Sequence, residues 1–272
     1  MEDTSFLLTA VIALCAAGAV GGVISGLLGV GGGIVIVPVL FEIFGLLGID
    51  PGVRMHLAVG TSLATIIPTS ITSARAHAKR GSVDRGILLK LAPPVFAGVI
   101  IGTLIAGPLK GQVLTAVFAT AALVVSLYMG FYRETWRVAD QLPGGLALGT
   151  IGGSIGTVSV LMGIGGGTLG VPTMTLFNVP IHRAVGTAAA LGLVVSLPGA
   201  IGFLIGGWDH PNLPPFSAGY VNLLASALLL PTMLMTVPYG ARLAHSISQI
   251  ALRRAFAGFL ALVACRMFLS LA

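Results

Sequence analysis

Charged side chains are scarce in this chain. Aspartate, glutamate, lysine and arginine make up 8% of its 272 residues, whereas hydrophobic residues make up 56%. In a soluble domain roughly a quarter of the residues are charged, so this chain has too few charged residues to form a water-soluble surface. The deficit excludes a soluble globular protein and indicates a membrane protein built from long apolar stretches.

Cysteines and acidic residues are also few. The two cysteines, Cys15 and Cys265, lie within apolar stretches, where a small buried side chain is the plain interpretation. The net charge of +6 comes from basic residues scattered between apolar stretches, which does not indicate a nucleic-acid surface. No His, Cys and carboxylate cluster has metal-ligand spacing, and no lysine follows the glycine clusters as in an ATP-binding loop. We therefore expect no metal, no cofactor and no nucleic-acid partner.

Two short strings imitate enzyme motifs. Residues 165–170 spell the dinucleotide fingerprint GxGxxG, and residues 152–156 spell the hydrolase motif GxSxG. Both lie in apolar helical stretches without the strand that each motif requires before it. We therefore expect no catalytic residues.

Ten apolar segments can be drawn along the chain. Their bounds are roughly 6–28, 34–48, 56–75, 86–107, 111–131, 143–162, 168–179, 184–206, 217–239 and 253–271. A spanning helix needs about 20 residues, so the second segment of each half is too short for a full crossing. Each of these two segments begins at a glycine cluster and contains a proline, which predicts a broken or half-length helix.

The basic residues predict the orientation. If all ten segments cross and the N-terminus lies outside, eleven of the 14 lysines and arginines face inward and three outward. If the two short segments re-enter instead, the split is six against eight and the bias disappears. We therefore predict ten crossings, with the first segment retained as a membrane helix because its acidic start is unlike a signal peptide.

A glycine motif occurs twice. GVGGG at 29–33 leads to Pro38, and GIGGG at 163–167 leads to Pro172, at an offset of 134 residues. A shared spacing of this kind indicates an internal repeat. The predicted fold is thus an all-α polytopic membrane protein of two five-segment repeats, at 1–131 and 143–272, joined by a linker at 132–142. An odd number of crossings in each repeat would invert one relative to the other.

The glycine clusters are the first candidate site. A glycine run within hydrocarbon ends one helix, and the next helix then begins with free N–H groups and a partial positive charge. Such a terminus binds anions without a charged side chain. The predicted substrate-binding residues are Gly31, Gly32, Gly33, Gly165, Gly166 and Gly167.

A second duplicated motif, HxAVGT, follows each glycine motif. It begins at His56 and at His182, an offset of 126. Hydroxyl groups suit an anion that must bind and then leave. We therefore predict substrate contacts from Thr61, Ser62 and Thr187, although helix back-bonding would also explain single hydroxyls. Arg183 either attracts an anion at the inner mouth of the transporter or is one of the basic residues that the positive-inside rule places there. His56 and His182 are either proton-coupling candidates or residues that only begin a helix.

These motifs resemble a known family. GLLGVGGGIVIVPVL, HLAVGTSLA, LMGIGGGTLGVPTM and HRAVGTAAA are similar to the two halves of the sulfite exporter TauE/SafE family of bacterial transporters. The resemblance implies a multi-pass protein of the bacterial inner membrane that carries sulfur-containing anions such as sulfite, thiosulfate or a short organosulfonate such as sulfoacetate, with export as the expected direction. It leaves the individual anion, the coupling ion and the oligomeric state open.

We therefore predict a secondary transporter of small sulfur-containing oxyanions, whose partners are the anion and the lipid bilayer. The anion would bind between the repeats near the bilayer midplane. A passive anion channel using the same amide groups is the alternative. An intramembrane enzyme based on Ser154 and His182 is a more remote one.

Overall fold

The computed structural model describes residues 2–28, 32–131, 137–243 and 249–271. These residues form ten α-helices, which confirms the predicted all-α class. The helices are α1 Glu2–Leu28, α2 Gly33–Leu46, α3 Pro51–Ala78, α4 Arg85–Ala106, α5 Gly111–Phe131, α6 Gly145–Leu161, α7 Gly167–Leu176, α8 Ile181–Gly206, α9 Leu223–Leu243 and α10 Gln249–Leu269.

A short antiparallel pair precedes α9. Strand β1 is Ser217–Ala218 and strand β2 is Val221–Asn222. The sequence predicts that the ninth apolar segment starts near residue 217, but the helix begins at Leu223. Gly219 lies between the strands with a positive φ of 54°, a conformation that a reversing turn needs and a helix excludes.

Six helices in the described part of the chain are long and apolar enough to cross a membrane. The α2 helix has 14 residues and α7 has 10, and each contains a proline. At 1.5 Å per residue these two helices are about 21 and 15 Å long, shorter than the roughly 30 Å hydrocarbon core. The prediction that each half contains a half-length helix is confirmed.

The helices pack in pairs that repeat between the halves. The α1 helix packs on α9, and its counterpart α6 packs on α4, the counterpart of α9. In the same way α3 contacts α9, and its counterpart α8 contacts α4. Two further pairs join counterparts directly, namely α3 with α8 and α5 with α10. Exchanging the halves therefore leaves this pattern of pairs unchanged.

Contacts at glycines give the relative directions of the helices. Gly192 faces Ser70 and Gly199 faces Leu63, so residue numbers fall along α8 as they rise along α3. These central helices are antiparallel. In contrast, Gly18 faces Leu229 and Gly22 faces Met233, so α1 and α9 run in the same direction. The α4 and α6 helices are also parallel, because Pro94 lies at Gly152 and Val160 at Gly102.

The α4–α6 interface depends on the absence of a side chain at Gly156. A Cβ there would collide with the carbonyl oxygen of Val95, whereas a Cβ at Gly149 on the same helix would meet nothing within 4 Å. We therefore expect Gly156→Ala to lower the melting temperature of the detergent-purified protein by several degrees. Gly149→Ala should be neutral or stabilising by about 1 kcal/mol, through helix propensity alone. Equal melting temperatures for the two variants would contradict this account of the interface.

Candidate functional site

The second glycine cluster forms a tight helix–helix turn. Gly163 ends α6 with a positive φ of 63°, and its N–H donates to the Val160 carbonyl at 3.1 Å. The Ile164 N–H donates to the Ser159 carbonyl at 3.0 Å, which completes a glycine cap on α6. After Gly165, Gly166 accepts the first bond of α7 from the Gly170 N–H at 2.8 Å. The chain thus passes from the end of α6 at Leu161 to the start of α7 at Gly167 through five residues.

The first glycine cluster is described from Gly32 onward. Gly31, one of the predicted binding residues, lies outside the described residues. Gly32 has a positive φ of 75° and caps α2, and its carbonyl accepts from the Val35 N–H at 3.0 Å. Gly33 is the first residue of α2 and is buried. As in α7, the first N–H groups of this helix have no acceptor within the helix.

The structure brings the two clusters together. The Ser62 hydroxyl on α3 donates to the Gly163 carbonyl at 2.7 Å, and this hydroxyl is fully buried. A Cβ at Gly33 would collide with the same carbonyl and would lie 2.9 Å from Ser62 Oγ. The start of α2 in the first half, the end of α6 in the second half and Ser62 therefore meet at one point.

Buried hydroxyls without a partner among the described residues lie close to the glycine clusters along the chain. The Thr168 hydroxyl, at the second position of α7, is 3% exposed and has no hydrogen-bond partner among the described residues. Ser159 and Ser25 also have fully buried, unpartnered hydroxyls, and they are related by the repeat offset of 134. A buried polar atom without a partner is costly in a membrane protein and often marks a ligand or water position. Sequence analysis missed these three residues, although the shared offset of the two serines was a usable signal.

The HxAVGT motifs form two equivalent joints between helices. The Thr61 hydroxyl accepts from the Asn222 N–H at 2.9 Å, and the Thr187 hydroxyl accepts from the Asp84 N–H at 2.9 Å. Asn222 and Asp84 in turn cap α9 and α4 with their side chains. The glycine before each threonine leaves room for a backbone carbonyl from the other half. The Tyr220 carbonyl lies against Gly60, and the Ser82 carbonyl lies against Gly186. The two threonines thus fasten the central helix of each half to the fourth helix of the other half.

The ionisable residues of the two motifs differ in environment. His56 is 2% exposed, its Nε2 lies 3.1 Å from the Ala106 carbonyl, and its ring centroid lies 4.9 Å from that of Tyr220. His182, at the equivalent position, is exposed. The exposed Arg183 forms an ion pair with Asp84 at the joint of α8 and α4. Its charge is therefore balanced locally.

Asp84 is held in its charged form at this joint. The Ile87 N–H donates to one carboxylate oxygen at 3.0 Å, and Arg183 bonds the other. The pKa of Asp84 therefore lies below its usual value. The Ile87 hydrogen bond is the main cause, and the nearby Arg183 charge is a further one.

An apolar groove of about 900 Å³ opens between α5, α6 and α7. Its wall includes Val117, Val124, Ile151, Ile155 and Leu169, together with Ser154. As far as the structure describes this wall, it contains no histidine or carboxylate that would activate the Ser154 hydroxyl as a nucleophile.

Comparison with known proteins supports membrane transport. The family model described as "Sulfite exporter TauE/SafE" matches residues 14–267. The chain is 33% identical to a probable membrane transporter protein of Haemophilus influenzae, over 93% of this chain and 96% of the relative. It is 27% identical to a probable membrane transporter protein of Methanocaldococcus jannaschii, over 85% of each chain. No solved structure matches the chain.

The threonine joints predict a specific stability loss. We expect Thr61→Val to destabilise the protein by about 1–3 kcal/mol, because it removes the acceptor of the buried Asn222 N–H. Thr72→Val is the matched control on the same helix, since the Thr72 hydroxyl donates only to the Pro68 carbonyl of α3. Thermal unfolding in detergent measures both variants. A loss for Thr61→Val no larger than that for Thr72→Val would show that the joint contributes nothing.

The Asp84 carboxylate predicts an acid-sensitive contribution to stability. Because folding lowers its pKa, the contribution is fully present above the unfolded value of about 3.9 and is lost as pH falls through the folded pKa. We expect the melting temperature of wild type to fall more steeply than that of Asp84→Asn between pH 5 and pH 3, a range that brackets this value. Asparagine keeps the helix cap but loses the Arg183 pair. Parallel pH profiles would contradict the assignment.

Proposed function

The chain belongs to the sulfite exporter TauE/SafE family of membrane transporters, and we propose that it is a secondary transporter of small sulfur-containing oxyanions. Sulfite, thiosulfate and short organosulfonates are the proposed substrates, and export across the bacterial inner membrane is the proposed direction. The observation that carries this proposal is the meeting of the start of α2 with the glycine turn that follows α6, beside the buried hydroxyl of Ser62.

The proposed anion site consists of backbone N–H groups and neutral hydroxyls. The amides of Gly32 and Gly33 at the start of α2, and those of Gly165, Gly166 and Gly167 leading into α7, would donate to the anion oxygens, and Gly31 stays a predicted contact. Ser62 and Thr168 would add hydroxyl donors, and Ser25 and Ser159 lie one turn before the glycine clusters. No lysine or arginine is needed, because the two helix dipoles supply the positive potential. A site without a full charge releases its anion more readily.

The residues of the HxAVGT motifs have a supporting role in this proposal. Thr61 and Thr187 would position α3 and α8 through their joints rather than hold the anion. Arg183 would stabilise the joint with Asp84 on the inner side. The buried His56 is the better placed of the two proton-coupling candidates, because His182 is exposed.

We further propose that the two repeats, residues 1–131 and 143–272, have inverted topology in a ten-crossing protein with its N-terminus outside. The antiparallel arrangement of α3 and α8, together with the parallel pairs α1–α9 and α4–α6, supports this proposal. If α2 and α7 both re-entered, α3 and α8 would run in the same direction. Alternating access would then come from one repeat rocking against the other about the central anion.

Anion-dependent stabilisation tests this function. We expect sulfite, thiosulfate or a short sulfonate to raise the melting temperature of the purified protein, because a ligand stabilises the state that binds it. Thr168→Val should reduce this shift by an amount equivalent to about a tenfold weaker affinity, the cost of one hydrogen bond to a charged group. Thr173→Val on the same helix is the control, since its hydroxyl donates to the Leu169 carbonyl.

Two outcomes would overturn the proposal. If no sulfur oxyanion shifts the melting temperature of wild type, the proposed substrate class is wrong. If Thr168→Val and Thr173→Val behave alike, the anion does not bind at the start of α7.

Saturable counterflow in proteoliposomes separates a carrier from a channel, since only a carrier exchanges a trapped unlabelled anion for an external labelled one.

A further inference from the structure

Ser62 forms a buried hydrogen bond between the two halves of the protein. Its hydroxyl lies on α3 of the first half and donates to the carbonyl of Gly163 in the second half at 2.7 Å. The side chain is fully buried, so water does not compete for this bond. Gly163 ends α6 in the left-handed conformation and is fixed by its own hydrogen bond to Val160.

The same hydroxyl borders the start of α2. Ser62 Oγ lies 2.9 Å from the position that a Cβ of Gly33 would occupy. An anion held by the first amides of α2 would therefore come within reach of Ser62 Oγ after a rotation about its χ1 angle. A serine hydroxyl carries a single hydrogen, so it donates either to Gly163 or to the anion, and not to both.

The pseudo-equivalent position cannot form this contact. The offset of 126 places Ala188 where the first half has Ser62, and alanine has no donor. By contrast, Thr61 and Thr187 are both present and form equivalent joints. The two threonine joints are therefore symmetric, whereas the Ser62 hydrogen bond has no counterpart at Ala188, and it lies at the proposed anion site.

We propose that Ser62 is a substrate-released latch between the two repeats. Without substrate its hydroxyl donates to the Gly163 carbonyl and holds the halves together. With an oxyanion at the start of α2, the hydroxyl donates to the anion instead, because a hydrogen bond to a charged acceptor is roughly twice as strong as one to a neutral carbonyl. Binding thus frees Gly163 and permits the repeats to move. This inference rests on the proposed function, since it requires an anion at that site.

A latch of this kind makes the empty carrier slow to reorient. In proteoliposomes, wild type should exchange a sulfur oxyanion several-fold faster than it carries out net transport into anion-free vesicles. Ser62→Ala should bring this ratio of exchange to net transport close to one, because the empty carrier is no longer held. It should also bind the anion about tenfold more weakly in a thermal-shift titration, since it loses the stronger of two alternative bonds.

Thr65→Ala is the matched control. Thr65 is equally buried on the same helix, and its hydroxyl donates to the Ser62 carbonyl within α3. We expect this variant to keep the wild-type ratio and affinity. Ser62→Cys, which retains a weak donor of similar size, should give intermediate values.

The outcomes separate the latch from the transport function. If wild type neither binds nor exchanges any sulfur oxyanion, the proposed function fails, and the latch with it. If wild type binds and exchanges but Ser62→Ala keeps the wild-type ratio, the latch is wrong and the function stands. If Ser62→Ala binds the anion more tightly, the hydroxyl acts only in the empty state and does not transfer to the substrate, which also overturns the proposal.

Discussion

The constraint on which this structure depends is that helix ends in a membrane protein need hydrogen-bond partners. A helix that stops inside a bilayer leaves amides and carbonyls that lipid cannot satisfy, so the interruption persists only where protein or a ligand takes up those groups. Here the carbonyl side is partly satisfied by the glycine cap on α6 and by Ser62. In the proposed function the amides at the starts of α2 and α7 bind the anion, so a helix interruption and an anion site are the same feature.

The duplicated architecture uses symmetry and then departs from it. Both central helices are fastened by a threonine to the cap of a helix in the other half, and in both cases a glycine makes room for the passing carbonyl. However, the joint at Thr187 has the ion pair of Asp84 and Arg183, whereas the joint at Thr61 has the neutral Asn222 and the buried His56. In the proposed alternating-access mechanism, two halves that differ in this way would give the carrier a preferred resting state.

The sequence predicted the helices well because each is encoded locally. Apolar run length, glycine clusters and Pro38 and Pro172 were enough to place ten segments and to mark α2 and α7 as short. The joints could not be derived in the same way, since Thr61 and Asn222 are 161 residues apart and nothing local links them. The pairing of Ser62 with Gly163 is likewise tertiary. The different burial of His56 and His182 follows from Tyr220 and Ala106, which the repeat motif does not contain.

The pairing of α1 with α9 has a consequence for how the protein is made. The α1 helix packs chiefly on α9, through Gly18 and Gly22, so seven helices, α2 to α8, are synthesised between the two partners. During that interval a surface shaped for close helix contact is exposed to lipid or to the insertion machinery. The α1 helix therefore reaches its final packing only after α9 has been synthesised.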